Sequence, residues 1–338
     1  MTILKSFDLL IRGLIEDPAR VYMISKQNSK NLPTKEILDY PIFIRMIYDD
    51  NAIKEILNDT ITNIYEKNPV ILMNIWDSAG EKRYIDFLHS QYEKILLDLY
   101  KIFKGESKNK RVLEISSFLG VVDIALAKIG FEVYTYDIPE FQKNSTLNEL
   151  YSSFNVHSSS GYLQDAGKNG LPYPDNHFDA VILSEVIEHL NFNPLPLLQE
   201  INRILKKDGI IYLTTPNQVN LINRIKIIKG RSVRNSIHDS VTQVDESRQT
   251  ICGIHWREYT VSELNQLLEN TGFTTISHTY SHMAQKPTSP FFKKVFYIAC
   301  GLLCPQLGDS ITLIAKKNEY KPIKFWFPGE YIKYIKKG

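Results

Sequence analysis

The chain has 338 residues, 43% hydrophobic and 23% charged, with a formal net charge of +2. That length buries a sizeable core and holds one large domain or two smaller ones, and the near-neutral balance excludes a whole-protein field aimed at nucleic acid or anionic lipid. Cys252, Cys300 and Cys304 form no CxxC pair, no apolar run approaches about 18 residues, and the N-terminus has early acids without a cleavage site, so a cytoplasmic protein without signal peptide or membrane span is expected.

Residues 1–105 read as a helical extension. Apolar side chains recur at three- and four-residue steps over 3–15, 34–48, 52–65 and 82–103. The last helix carries one stripe: Tyr84, Phe87, Leu88, Tyr92, Ile95, Leu96, Leu99 and Phe103. GESKNK, residues 105–110, reads as a linker, and no chemical motif precedes it.

From 111 to 215 strands and helices alternate. Strands are expected at 111–115, 132–136, weakly at 162–164, at 180–183 and at 210–214; helices at 121–128, 146–154 and 195–205. That alternation predicts a parallel sheet covered on both faces. Residues 216–254 break the pattern: a helix is expected at 221–229, then a polar insertion over 231–250, read as a lid beside a substrate pocket. Thr260 with Glu263 three residues on is a capping-box start for a helix ending at Asn270. Strands are expected at 273–280 and 310–316. The apolar stretch 291–304 between them reads as a helix, and the tail 318–338 mixes aromatics with lysines.

The chemistry concentrates in RVLEISSFLGVVDIALAKIGFEVYTYD, residues 111–137. It is a βαβ unit with an acid, Glu114 and then Asp137, at the end of each strand. Ligands bind beyond the carboxyl ends of parallel strands, and an acid 23 residues after the first is placed to accept ribose hydroxyls. Ile138 follows, where it can pack on a base.

The loop after Glu114 resembles motif I of the class I S-adenosylmethionine (SAM) methyltransferases, acid-x-Gly-x-Gly-x-Gly, with Ser116, Phe118 and Gly120 at the three glycine positions. Phe118 is the bulky departure. Further on, LPYPDNHFDAVILSEVIEHL, residues 171–190, resembles the LPFxDxxFDxVxxxxVxEHL segment of the small-molecule members. The stretch 200–217 resembles their fifth-strand region, and 256–273 the next helix and strand. The resemblance covers about 111–317. It implies an α/β, Rossmann-like seven-stranded sheet with helices on both faces, in a domain of 106–317 between the helical extension and the tail. It implies SAM as cofactor and S-adenosylhomocysteine as product. The cofactor-binding residues it implies are Glu114, Ser116, Ser117, Phe118, Gly120, Asp137, Ile138, Asp165, Ala166, Ser184 and Glu185.

A sulfonium is already an activated electrophile, so the protein must align the acceptor and remove its proton. His189 and His255 are the candidate bases, because histidine titrates near neutrality. The leading expectation is O-methylation of a sugar, glycan precursor or other small metabolite, without a metal. A first alternative comes from Glu185, Glu188, His189 and His255, which resemble the metal set of small-RNA terminal 2′-O-methyltransferases. The second is a non-catalytic scaffold, motivated by Phe118. Nucleic acid is otherwise not expected as a partner. Residues 291–304 and the tail are candidates for peripheral membrane contact or a homodimer interface.

Overall fold

In the computed structural model of the chain, the described residues are 40–72, 80–238, 253–281 and 303–319. The chain divides into two compact units, Met1–Ala52 and Ile53–Gly338. The second carries a seven-stranded sheet of order β3-β2-β1-β4-β5-β7-β6. Its strands are β1 (Arg111–Ile115), β2 (Glu132–Asp137), β3 (His157–Ser160), β4 (Phe178–Ser184), β5 (Leu205–Pro216), β6 (Phe273–Ser281) and β7 (Ser310–Lys317). The first five in sequence pair in parallel; β7 inserts antiparallel between β5 and β6. This is the Rossmann-like class I methyltransferase architecture, with helices around the sheet.

The helices are α1 (Tyr40–Asp59), α2 (Gly80–Ile102), α3 (Val121–Ile129), α4 (Pro139–Gln142), α5 (Ser145–Ser153), α6 (Leu163–Asn169), α7 (Leu195–Ile204), α8 (Leu221–Ile228) and α9 (Val261–Asn270). Side chains alternate across a strand, and the central strands show it. Val112, Ala180, Ile182, Ile210 and Tyr212 join one apolar cluster with Leu57, Leu96, Leu99 and Ile124. Leu113, Val181, Leu183, Ile211 and Leu213 join a second with Leu197, Ile201, Leu264 and Leu268. Both faces are covered, which is why these strands read as continuous apolar runs rather than alternating ones.

Two expectations change. The weak strand at 162–164 is instead the start of α6, with Tyr162 as its N-cap; the third strand is His157–Ser160. It lies at the sheet edge and is mostly exposed, so polar side chains suffice there and the apolar signal is missing. The expected helices 34–48 and 52–65 are joined, as α1 runs through to Asp59 and continues as a π-helical turn, Thr60–Tyr65. Within that turn the Thr60 hydroxyl donates to Ile56 O at 2.7 Å. Residues 3–15, most of 291–304 and most of the tail lie outside the described residues. Among the described residues, no helix is long and apolar enough to cross a membrane.

Candidate active site

The chain leaves β1 toward β2 and β3 on one side, and returns to β4 and β5 on the other. Loops after β1 and β4 therefore diverge, and a crevice opens between them at the carboxyl ends of the strands.

The loop after β1 turns through left-handed backbone at alternate residues: Ser116 at φ 59°, Phe118 at 53° and Gly120 at 70°. These are the three positions aligned above with glycines. The glycine conformation is kept where the side chain is not, at about 1–2 kcal/mol for each non-glycine. Phe118 offsets its strain by packing: its ring meets Tyr84 edge-on at 5.2 Å between centroids and Phe141 at 5.3 Å. At Gly120 no substitution fits, since a Cβ would lie 2.5 Å from the Tyr151 hydroxyl.

The loop is tied to the end of β2. Asp137 is buried, and its two oxygens accept from Phe118 N and Ile138 N, each at 2.7 Å. Burial pushes its carboxyl up to about 6, with the two amides pulling the other way. Beneath lies a pair of acids. Glu114 and Asp123 are both buried, and Glu114 Oε2 and Asp123 Oδ1 lack partners unless they share a proton. Two desolvated carboxyls in contact cannot both ionise, so at least one proton stays on the pair. Burial raises both, Glu114 well above the ordinary range and Asp123 to about 7. Ser117 Oγ bonds Thr135 at 2.6 Å and Tyr151 at 3.1 Å, and the Tyr151 hydroxyl donates to Asp123 at 3.3 Å. A polar floor thus supports the loop.

Beyond β4, Ser184 and Glu185 leave the strand, Glu185 at φ 53°. Gln91 of α2 reaches them: its amide nitrogen lies 3.1 Å from Ser184 Oγ, 3.0 Å from Glu185 Oε1 and 2.8 Å from Thr214 Oγ1. Tyr84 and Gln91 are two helical turns apart, about 10 Å, so a single face of α2 spans the crevice from one loop to the other. The sequence of this helix carries no chemical motif. The available signal was Gln91 itself, a polar residue between Leu88 and Ile95 on the apolar stripe.

A 3₁₀ turn, Ile187–His189, follows. Glu188 is fully buried; Thr215 Oγ1 donates to its Oε2 at 2.8 Å, and its Oε1 has no partner among the described residues. Burial, then the neighbouring Glu185, raises its pKa well above the usual carboxylate range. His189 Nε2 stands 3.8 Å from that Oε1. His189 Nδ1 lies 3.0 Å from Ile254 O, an atom that only accepts, so Nδ1 carries the proton. His255 Nδ1 likewise donates to Glu258 Oε1 at 3.1 Å, and Glu258 Oε2 accepts from Asn223 Nδ2 at 3.0 Å. Each ring keeps Nε2 as its lone-pair nitrogen. The rings cross at 79° with centroids 4.8 Å apart. Burial and then the neighbouring His255 push His189 down to about 4. Trp256 N donates to Glu188 O at 2.7 Å, which fixes the segment carrying His255 against the turn carrying His189.

The structure thus gathers Glu114, Ser116, Ser117, Phe118, Gly120, Asp137 and Ile138 around the first loop, and Ser184, Glu185, His189 and His255 around the second. Asp165 and Ala166 sit in the first turn of α6, Ala166 buried and Asp165 exposed. Glu188, His189 and His255 each offer a ligand atom, all within 4.8 Å of one another.

The chain is similar to known proteins over this region. A family model described as a methyltransferase domain matches residues 84–278. An uncharacterised protein of Methanocaldococcus jannaschii is 25% identical over 235 residues, 65% of this chain and 86% of that protein. A ubiquinone biosynthesis O-methyltransferase of Haemophilus ducreyi is 26% identical over 145 residues, 42% of this chain and only 59% of that enzyme. A solved SAM-dependent methyltransferase from Archaeoglobus fulgidus aligns with TM-score 0.44 and 18% identity, covering 70% of this chain and 99% of that one. The matched model covers more than half of the chain, which therefore belongs to the methyltransferase-domain family and takes S-adenosylmethionine as its cofactor.

Proposed function

We propose that the chain methylates a hydroxyl group of a sugar, glycan precursor or other small metabolite, with His255 as the general base. The observation that carries this reading is the Glu258–His255 pair. Glu258 fixes the His255 tautomer through Nδ1, leaves Nε2 as the basic atom and stabilises the imidazolium once it forms.

The residues of the first loop fit the cofactor. Asp137 retains lone pairs on both oxygens beyond the two amide bonds, enough to accept a ribose diol. The left-handed loop 116–120 holds its backbone close to that acid, with Glu114, Ser117 and Ile138 around it. Ser184 and Glu185 leave β4 on the other side of the crevice; Asp165 is exposed at the start of α6, whereas Ala166 is buried in the second apolar cluster and packs rather than contacting a ligand. When bound, the cofactor supplies an activated methyl group. The protein's own residues exclude water, align the acceptor and take its proton at His255 Nε2. His189, held neutral by burial with its proton on Nδ1, offers Nε2 as an acceptor to a second, neighbouring hydroxyl of the substrate.

The test separates cofactor from chemistry. Asp137→Ala should abolish S-adenosylhomocysteine binding in calorimetry. His255→Ala and Glu258→Gln should keep that affinity and lose about 10²–10⁴ in turnover. Full cofactor affinity in Asp137→Ala would show the ribose site to be elsewhere.

A second reading rests on Glu188, His189 and His255. Two imidazoles whose Nδ1–H groups are locked by oxygen acceptors, beside an orphaned carboxylate oxygen, form a donor set suited to a divalent cation. Such an ion would polarise a vicinal diol, as at an RNA end. The two readings compete for the same nitrogens, since a coordinated imidazole takes no proton. Turnover that survives EDTA supports the first. Turnover lost to EDTA and restored by Mn²⁺ or Zn²⁺ supports the second.

A further inference from the structure

Helix α8 is built inside out. Its buried residue is polar: Asn223 is 4% exposed, and its side chain donates to Gln218 O and Glu258 Oε2, each at 3.0 Å. Its apolar residues face solvent, with Ile222 43%, Ile225 42% and Ile228 84% exposed. Three-residue steps put these isoleucines on one side of the helix, turned away from Asn223. Ile227 and Ile237 are exposed as well. A surface helix of a soluble protein shows the opposite arrangement, with its apolar stripe against the core.

The patch is also strongly basic. Arg224, Lys226, Lys229, Arg231 and Arg234 lie between Asn217 and His238, a stretch without an acid. These five cations form no ion pair among the described residues. The whole chain has a net charge of only +2, so positive charge is concentrated where the isoleucines are exposed.

We infer that α8 and the basic segment after it dock the protein on an anionic lipid surface. Exposed aliphatic side chains ringed by cations are the pattern of an interfacial helix, bound by buried apolar area together with attraction to anionic headgroups. Charge argues against a second copy of this chain, because two such faces would set five cations against five. Composition argues against nucleic acid: α8 carries no aromatic residue to stack on a base, and isoleucines gain nothing from phosphate. The inner side of the same helix holds Glu258, which holds His255. Docking therefore brings the proposed base within about one helix diameter of the headgroups, roughly 10 Å. For the acceptor, this favours a hydroxyl on a lipid-anchored or amphipathic molecule, a step that rests on the O-methyltransferase reading; the docking does not.

The test is co-sedimentation of the full chain with vesicles of phosphatidylcholine alone and of phosphatidylcholine mixed with phosphatidylglycerol. Calorimetry with S-adenosylhomocysteine runs in parallel. The mixed vesicles should bind the protein, and the neutral ones should bind it far more weakly. Lys229→Gln with Arg231→Gln should weaken binding roughly fivefold per cation removed. Ile225→Ser with Ile228→Ser should also release the protein, and all four substituted positions are exposed, so folding is not at stake. Both double variants should keep wild-type affinity for S-adenosylhomocysteine, which separates a failure of docking from a failure of the site. Absence of vesicle binding, equal binding to both compositions, or wild-type binding by the isoleucine variant would overturn the inference. So would preferential binding of single-stranded RNA that ignores the isoleucines.

Discussion

Asp123 shows how one buried group shapes the behaviour of the cofactor loop. Burial raises it from 3.8 to about 7, while Glu114 first, then Ser117, Tyr151 and Thr135, pull it down through hydrogen bonds. The folded chain keeps this proton to about pH 7, whereas the unfolded chain releases it near 3.8. Between those values the unfolded state holds fewer protons, so stability falls as pH rises and levels off above 7. Asp123→Asn removes the ionisation and keeps an acceptor for Tyr151. At pH 8 the variant should be more stable than the parent by about 1–3 kcal/mol, and the gap should close toward pH 4. Thermal denaturation midpoints of the two proteins across pH 4–9 decide it; parallel curves would mean that Glu114 alone carries the strain of the pair.

Single elements show where sequence is readable. The capping box at α9 is complete: Glu263 N donates to Thr260 Oγ1 at 3.3 Å and Thr260 N to Glu263 Oε2 at 2.9 Å. Its spacing alone identified it, because both partners lie within one turn. Thr260→Ala should cost about 1 kcal/mol. Tyr259, immediately before the cap, bridges to Asn217 and so anchors the segment carrying His255 and Glu258. The loss should therefore appear in turnover as well as in the melting temperature; a lower melting temperature with unchanged turnover would show that the site does not depend on this cap. β1, β2, β4 and β5 were equally legible, because strands covered on both faces must be apolar. β3 was not, since an edge strand of His-Ser-Ser-Ser is held by backbone pairing to β2 that side-chain character does not reveal. The left-handed turn at Phe118 was hidden for a related reason. A glycine advertises that dihedral, whereas a phenylalanine there is stabilised by Tyr84 and Phe141, which lie far from it in sequence. Gln91 escaped because its partners sit 93 to 123 residues away.

At the scale of the molecule, the reversal of chain direction between β1 and β4 makes the crevice, and α2 crosses it from Phe118 to Glu185. Cofactor binding should therefore report on the fold as a whole. A ligand at a hundred times its Kd adds about 2.7 kcal/mol to stability, enough to raise the melting temperature by several degrees. The pH dependence of that affinity identifies the acid responsible. Asp137 titrates near pH 6 in the free protein, raised by burial. Only the ionised carboxylate can accept from both ribose hydroxyls while retaining its bonds from Phe118 N and Ile138 N. Above pH 7 it is ionised and affinity should be flat. Below pH 6 binding must first expel a proton, so the apparent Kd for S-adenosylhomocysteine should rise, by up to tenfold per pH unit. Asp137→Asn should be weak at every pH and show no such limb. Calorimetric titrations at pH 5 and pH 8 are sufficient. Equal affinities at the two values in the wild type would remove Asp137 from the ribose site.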